Sequence, residues 1–180
     1  MGGERLMQAA GPILRALRNA TGETALLGTL AGNYGVVLDQ IPSSHPVKVV
    51  VEIGHAFTLH TAAPAKAMLA YWSGEAQKAF VQKFEFSKKT RHTLTSVAVY
   101  LAELKRVKAC GYALDRGEES ETFACVAAPV FDHRSLPVAA IWISGPSERL
   151  PLRALDKLGP QVRHFADGLS HRLGFSPPPA

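Results

Sequence analysis

Cysteine is nearly absent from this sequence: only Cys110 and Cys125 occur in 180 residues. That count excludes a disulfide framework, and in a reducing compartment free thiols are the expectation, with Cys125 read as a small buried side chain in a strand. Long hydrophobic runs are missing as well. None approaches the roughly 18 residues that a membrane span needs, and the opening Met1-Gly2-Gly3-Glu4 has no apolar stretch of the kind a secretory signal carries. A cytoplasmic protein without membrane association is the simplest reading. Familiar reaction motifs are lacking too. A phosphate-binding loop sets Gly-x-x-x-x-Gly-Lys ahead of a helix, whereas Gly28, Gly32 and Gly35 have neither that spacing nor the lysine. Seven histidines occur without a His-Glu-x-x-His or paired-cysteine pattern, so His55 and His60 read as ordinary loop or core residues. No metal or other cofactor is expected. The formal charge of +5 is scattered along the chain, while a nucleic-acid surface gathers its Lys and Arg on one face or helix.

What is present is globular composition, 47% hydrophobic and 19% charged, at a length that one core can serve. Residues 1–175 read as a single domain, and the proline-rich tail 176–180 as disordered. Leu6, Ala10, Ile13, Leu14 and Leu17 form one stripe of a helix from about Glu4 to Ala20, bent at Gly11-Pro12 and stopped by Gly22. Thr24 to Leu30 and Tyr34 to Ile41 read as a hairpin turning at Ala31-Gly32-Asn33. Val47 to Ile53 reads as a third strand, buried on nearly both faces. Pro64 suits the first turn of a helix, because its missing N–H has no partner there in any case. A further helix over Gly74 to Phe84 precedes a loop at Thr90 to Thr95. Ser96 caps the next helix and Gly111 ends it. Three more strands follow at Gly111 to Asp115, Phe123 to Asp132 and Pro137 to Ser144. A last helix spaces Leu155, Leu158, Val162, Phe165, Leu169 and Leu173 by three or four and stops at Gly174. This order predicts an α+β domain: an antiparallel sheet of about six strands flanked by helices.

Two stretches carry more than any single residue. One is Ser44-His45-Pro46-Val47-Lys48 followed by Gly54-His55-Ala56-Phe57-Thr58-Leu59-His60-Thr61-Ala62-Ala63-Pro64-Ala65-Lys66 and on to Ala70. The other runs Gly111-Tyr112-Ala113-Leu114-Asp115-Arg116-Gly117-Glu118-Glu119, then Cys125 to Asp132, then Pro137 to Ile141 and Ser144-Gly145-Pro146. Together they resemble the effector-binding domain of the isocitrate-lyase-regulator (IclR) family of bacterial transcription factors, over nearly the whole chain. The resemblance implies a GAF-like sheet, a pocket for a small organic acid, and homodimers or homotetramers assembled partly through this domain. It also implies a winged helix-turn-helix that this chain has no room for, since a single helix precedes the first strand. DNA contact is therefore expected only through a domain absent from this chain.

The same resemblance assigns the site. Ala62, Ala63, Pro64 and Ala65 match the family's Gly-rich segment, whose backbone N–H groups hold the ligand carboxylate. With Ala for Gly and a donor lost at Pro64, anion binding is expected to be weaker or to shift to the N–H groups of Ala65 and Lys66. Asp115, Cys125 and Ser144 fall on effector-contacting positions, and Val49, Phe57 and Phe123 on the apolar wall. Trp142 stands where some relatives have serine; it either fills the pocket, favouring an aromatic or more apolar acid, or packs outward against a helix. Asp115 either accepts from a ligand hydroxyl or is protonated when the site is filled, which suits a hydroxy acid, or it is simply a turn aspartate before Gly117. A ligand sensor is the leading reading. A thiol-dependent enzyme using Cys125 with Asp115 and His60 is one alternative, and a stand-alone dimerisation partner is another.

Overall fold

The computed structural model describes residues 2–177. Helix α1 (Gly2–Thr21) turns its Leu6, Ala10, Leu14 and Leu17 stripe inward and runs on through Pro12, whose ring lies on the exposed face. Strands β1 (Thr24–Ala31) and β2 (Tyr34–Ile41) form the expected hairpin, with Gly32 at φ 65 in its turn. A two-residue strand, β3 (Ala56–Phe57), pairs with Gly35 and Val36. Helices α2 (Ala63–Leu69), α3 (Gly74–Val81) and α4 (Val97–Cys110) follow. Ser96 Oγ accepts from the Val99 N–H at 3.3 Å at the start of α4, and left-handed Gly111 closes it. Strands β4 (Ala113–Asp115), β5 (Phe123–Phe131) and β6 (Pro137–Pro146) and helix α5 (Leu152–Arg172) complete the chain. Ser176 and Pro177 follow without regular structure, and the rest of the expected tail lies outside the described residues.

The six strands make one antiparallel sheet in the order β3-β2-β1-β6-β5-β4, so the two chain halves meet where β1 pairs with β6. Strand alternation divides its residues between two helical layers. Leu27, Leu114, Val126, Ile141 and Ile143 pack with α1 and α5, and Leu26, Val37, Ala113, Cys125, Ala127, Ala140 and Trp142 pack towards α2 and α4. Both faces are covered, which explains why β5 and β6 are buried almost throughout. Small residues at 113, 127 and 140 let α2 lie close against the sheet, and every residue of α2 is buried. A bulge between Leu27 and Gly28 shifts the β1–β2 register, a feature that increases local twist.

One expected strand does not form. The valine-rich run from Val47 to Ile53 is a strap without ladder pairing, and the pairing with β2 falls to Ala56–Phe57 instead. Side chains hold the strap. Thr24 Oγ1 donates to the Val49 carbonyl at 2.6 Å. The Gln40 carboxamide bonds both the carbonyl and the N–H of Val51, and Arg149 donates to the Val47 carbonyl at 2.9 Å. Arg149 is itself held by two bonds to buried Glu23. Exposure still alternates: Val49 and Val51 face inward while Val47, Val50 and Ile53 are exposed. Extended residues of β character therefore form a wall rather than a sheet member, since their backbone groups are satisfied by side chains. The helix expected to reach Phe84 ends at Val81, where the last turn loosens.

Candidate functional site

The register of the sheet builds a polar row on its α2-facing side. Asp115 lies opposite Cys125, Cys125 opposite Ser144, and Ser144 opposite Thr24. Above this row the chain turns from β3 into α2, leaving a cavity of about 320 Å³ between helix start, sheet and strap. Asp115, Cys125 and Ser144 form its polar end, and Ala62, Ala63 and Pro64 line it from the start of α2. Val49 and Val51 come from the strap, and Leu26, Val37, Phe57, Phe123 and Trp142 complete an apolar wall. At the mouth, Glu119 accepts from Thr61 Oγ1 and from Lys89 Nζ, and Lys89 also reaches Thr58 Oγ1 at 3.0 Å. These bonds tie the turn after β4 to the loop before α4. Thr90 and Thr93 reinforce the tie through the carbonyls of Gly117 and Glu118.

Burial sets the chemistry of the row. Asp115 is 1% exposed; desolvation, followed by the nearby Glu118 carboxylate, pushes its carboxyl up to about 7. Its Oδ1 accepts the Glu118 N–H at 2.7 Å, so it is at once a turn aspartate and a cavity residue. Burial also pushes the Cys125 thiol far above the usual range. That thiol contacts Ser144 Oγ at 3.3 Å, while the ring of His60 is turned away to the Ser87 carbonyl at 2.9 Å. A nucleophilic thiol needs a lowered pKa, whereas burial and the neighbouring Asp115 carboxylate both push that of Cys125 up.

Of the positions expected from sequence, Val49, Phe57, Ala62, Ala63, Pro64, Asp115, Phe123, Cys125, Trp142 and Ser144 line this cavity and Ala65 does not. Ala65 is fully buried within α2. The expected shift of anion donors to Lys66 also fails, because the Lys66 N–H is bonded to the Ala62 carbonyl at 3.3 Å. Its side chain is engaged elsewhere: Lys66 Nζ, fully buried, lies 2.8 Å from both Glu118 oxygens and donates to the Leu114 carbonyl. Sequence reasoning missed this pair, although a lysine inside a run of alanines and two glutamates after Gly117 were visible signals.

Trp142 faces the cavity. Its indole meets Phe57 edge to face, with centroids 5.7 Å apart, and lies over Gly28, where a Cβ would come within 2.8 Å of Trp142 Cη2 and 2.6 Å of the Val36 carbonyl. Gly28→Ala is therefore expected to cost about 1–3 kcal/mol through overpacking and to displace the indole. Urea denaturation together with tryptophan fluorescence checks both effects, and an unchanged midpoint and spectrum would refute them.

Comparison with known proteins decides the family. A family model described as "Bacterial transcriptional regulator IclR C-terminal" matches residues 2–171. The chain belongs to the IclR family. It is 33% identical over 172 residues to the HTH-type transcriptional regulator BhcR of Paracoccus denitrificans, covering 96% of this chain and 61% of that protein. The crystal structure of Thermotoga maritima IclR superposes with a TM-score of 0.88 at 28% identity, over 94% of this chain and 69% of the other. The inducer-binding domain of the Acinetobacter transcription factor PobR, solved as a double mutant with 3-hydroxybenzoic acid, shares the fold at a TM-score of 0.80 and 23% identity, over 91% and 96% of the two chains. The chain spans about three-fifths of the length of BhcR. IclR-family relatives are named as regulators and repressors. Among the described residues, no helix is long and apolar enough to cross a membrane.

Proposed function

We propose that this domain senses a small aromatic or hydroxy acid in the cavity beneath α2. The observation that carries the reading is the cavity itself. Its volume of about 320 Å³ lies in the range of small-molecule sites, and its aromatic and aliphatic wall around a few convergent polar groups is the usual composition of such sites. Asp115 and Ser144 take the ligand's hydroxyl or carbonyl, the start of α2 faces its carboxylate, and Phe57, Phe123 and Trp142 sandwich its apolar body. Occupancy then alters packing between subunits of a homodimer or homotetramer, and with it the posture of a DNA-reading domain outside this chain. The place of action is the cytoplasm.

Thermal-shift screening tests this reading. Benzoate, 3-hydroxybenzoate, lactate and glyoxylate are suitable probes, since a ligand at about 100 times its Kd adds roughly 2.7 kcal/mol. At least one aromatic or hydroxy acid should raise Tm by several degrees, and Ser144→Ala should remove most of that rise. A panel in which no acid stabilises the protein, or in which Ser144→Ala shifts as the parent does, would count against the site. Trp142→Ser is expected to move the preference towards the smallest acid, glyoxylate.

A further inference from the structure

The charges around the cavity are unusual for a site that receives an acid. Among the described residues, no lysine or arginine lines it, whereas two carboxylates, Asp115 and Glu119, do. The nearby cations are already engaged. Lys66 Nζ is held from within α2 by Glu118 and the Leu114 carbonyl, with Glu103 of α4 at 3.7 Å. Arg116 and Arg106 turn to Glu103 instead. Lys89 is bonded to Glu119 at the mouth and offsets that carboxylate. His55 lines the cavity beside β3 but is exposed to solvent. Cys125 and Ser144, the neighbours of Asp115 on β5 and β6, are uncharged donors or acceptors. Asp115 thus stands as a buried carboxyl with one oxygen on the Glu118 N–H and, among the described residues, no salt bridge; the Lys66 ammonium, committed to Glu118, offsets its charge only from a distance, and burial outweighs that pull.

We propose that the site takes up a monocarboxylic acid together with one proton, held at Asp115, and discriminates against dicarboxylates and phosphorylated acids. The inference rests on the organic-acid reading above and adds the charge class of the ligand. A ligand carboxylate entering this enclosure meets the Asp115 carboxylate with no cation between them. Two like charges in one desolvated site do not both stay ionised, so a proton is bound and held at Asp115. The protonated Asp115 then donates to the ligand, reversing the direction expected for a ligand hydroxyl. A second carboxylate or a phosphate would require another proton or a cation, and among the described residues no lysine or arginine lines the cavity to supply one, His55 being exposed to solvent at its edge. The near-neutral titration of free Asp115 agrees, since its proton is available at physiological pH.

Isothermal titration at pH 6 and pH 8, in phosphate and in Tris, reads the proton directly. The probes are benzoate, 3-hydroxybenzoate and lactate, each paired with a dicarboxylate, isophthalate for the aromatics and malate for lactate. The expected result is that whichever monocarboxylate binds does so about tenfold more weakly at pH 8 than at pH 6, with close to one proton taken up at pH 8. Its dicarboxylate partner should bind more weakly at both. Asp115→Asn should flatten the pH dependence and abolish proton uptake while still binding at pH 8. Binding without proton exchange, or a dicarboxylate bound as tightly as its partner, overturns the inference and leaves the acid sensor standing. Failure of every acid overturns the sensor reading and this one with it. A ligand-free measurement stands beside these. Carbon-detected NMR titration of the aspartate carboxyls, with Asp115→Asn for assignment, should find one group titrating near neutrality; finding Asp115 fully ionised at pH 6 overturns the proposal whatever binds.

Discussion

Lys66→Met is expected to destabilise the domain by about 3–5 kcal/mol, the range seen when one partner of a buried ion pair is removed. The ammonium is fully buried, and Glu118, its partner, is 2% exposed. Without Lys66 the Glu118 carboxylate has no salt-bridge partner among the described residues, and the Leu114 carbonyl loses its donor. Burial already pushes the Glu118 carboxyl above its ordinary value, against the pull of Lys66. In the variant it should therefore bind a proton on folding, making the loss larger at pH 8 than at pH 5. The double variant Lys66→Met with Glu118→Leu should recover most of the stability and leave about 1 kcal/mol for the orphaned carbonyl. Urea denaturation of the parent, both single variants and the double variant closes the cycle. A single-variant cost below about 1 kcal/mol would show that the pair does not form as described. The pair fastens α2 to the turn after β4, so the same variants should also weaken any ligand held between these elements.

The second large effect concerns pH. Asp115 titrates at about 7 in the folded protein and near 3.8 as an ordinary aspartate. Between these values the folded state holds a proton that the unfolded chain has released. Stability is therefore greatest at low pH with respect to this group and falls as pH rises to about 7, beyond which it levels. At 1.36 kcal/mol per unit, the full difference amounts to as much as about 4 kcal/mol. Asn at this position cannot ionise and keeps an oxygen for the Glu118 N–H. Asp115→Asn should accordingly match the parent near pH 4 and exceed it by about 2–4 kcal/mol at pH 8 in the absence of ligand. Parallel stability curves for the two proteins across that range would remove Asp115 as a buried, uncompensated acid. A ligand-binding residue whose replacement stabilises the empty protein is the usual mark of a site that trades stability for function.

Helix and strand positions were largely legible because local rules act on neighbouring residues. Ser96 and Gly111 bracket α4 as capping chemistry requires, and the leucine spacing of α5 survives in its buried face. The strap at Val47 to Ile53 was not legible. Its valines have strand character, yet whether an extended segment joins a ladder depends on which edge is free beside it, and here side chains of Thr24, Gln40 and Arg149 take the backbone groups. Trp142 was ambiguous for a related reason. A single strand's alternation has two phases, and only pairing with β1 and β5 sends Ile141 and Ile143 to one helical layer and Trp142 to the other.

By itself the sequence determined an α+β chain of about six strands, its helix ends and, through motif order, its family, because each of these depends on residues close together along the chain or on patterns kept whole. Tertiary structure alone decided that Asp115, Cys125 and Ser144 share a row, that Lys66 is committed to Glu118, and that among the described residues no lysine or arginine lines the cavity. Those facts turn on strand register and on which distant side chains exclude water together. Charge compensation is a property of groups that meet in space, and it cannot be counted until the chain has brought them there.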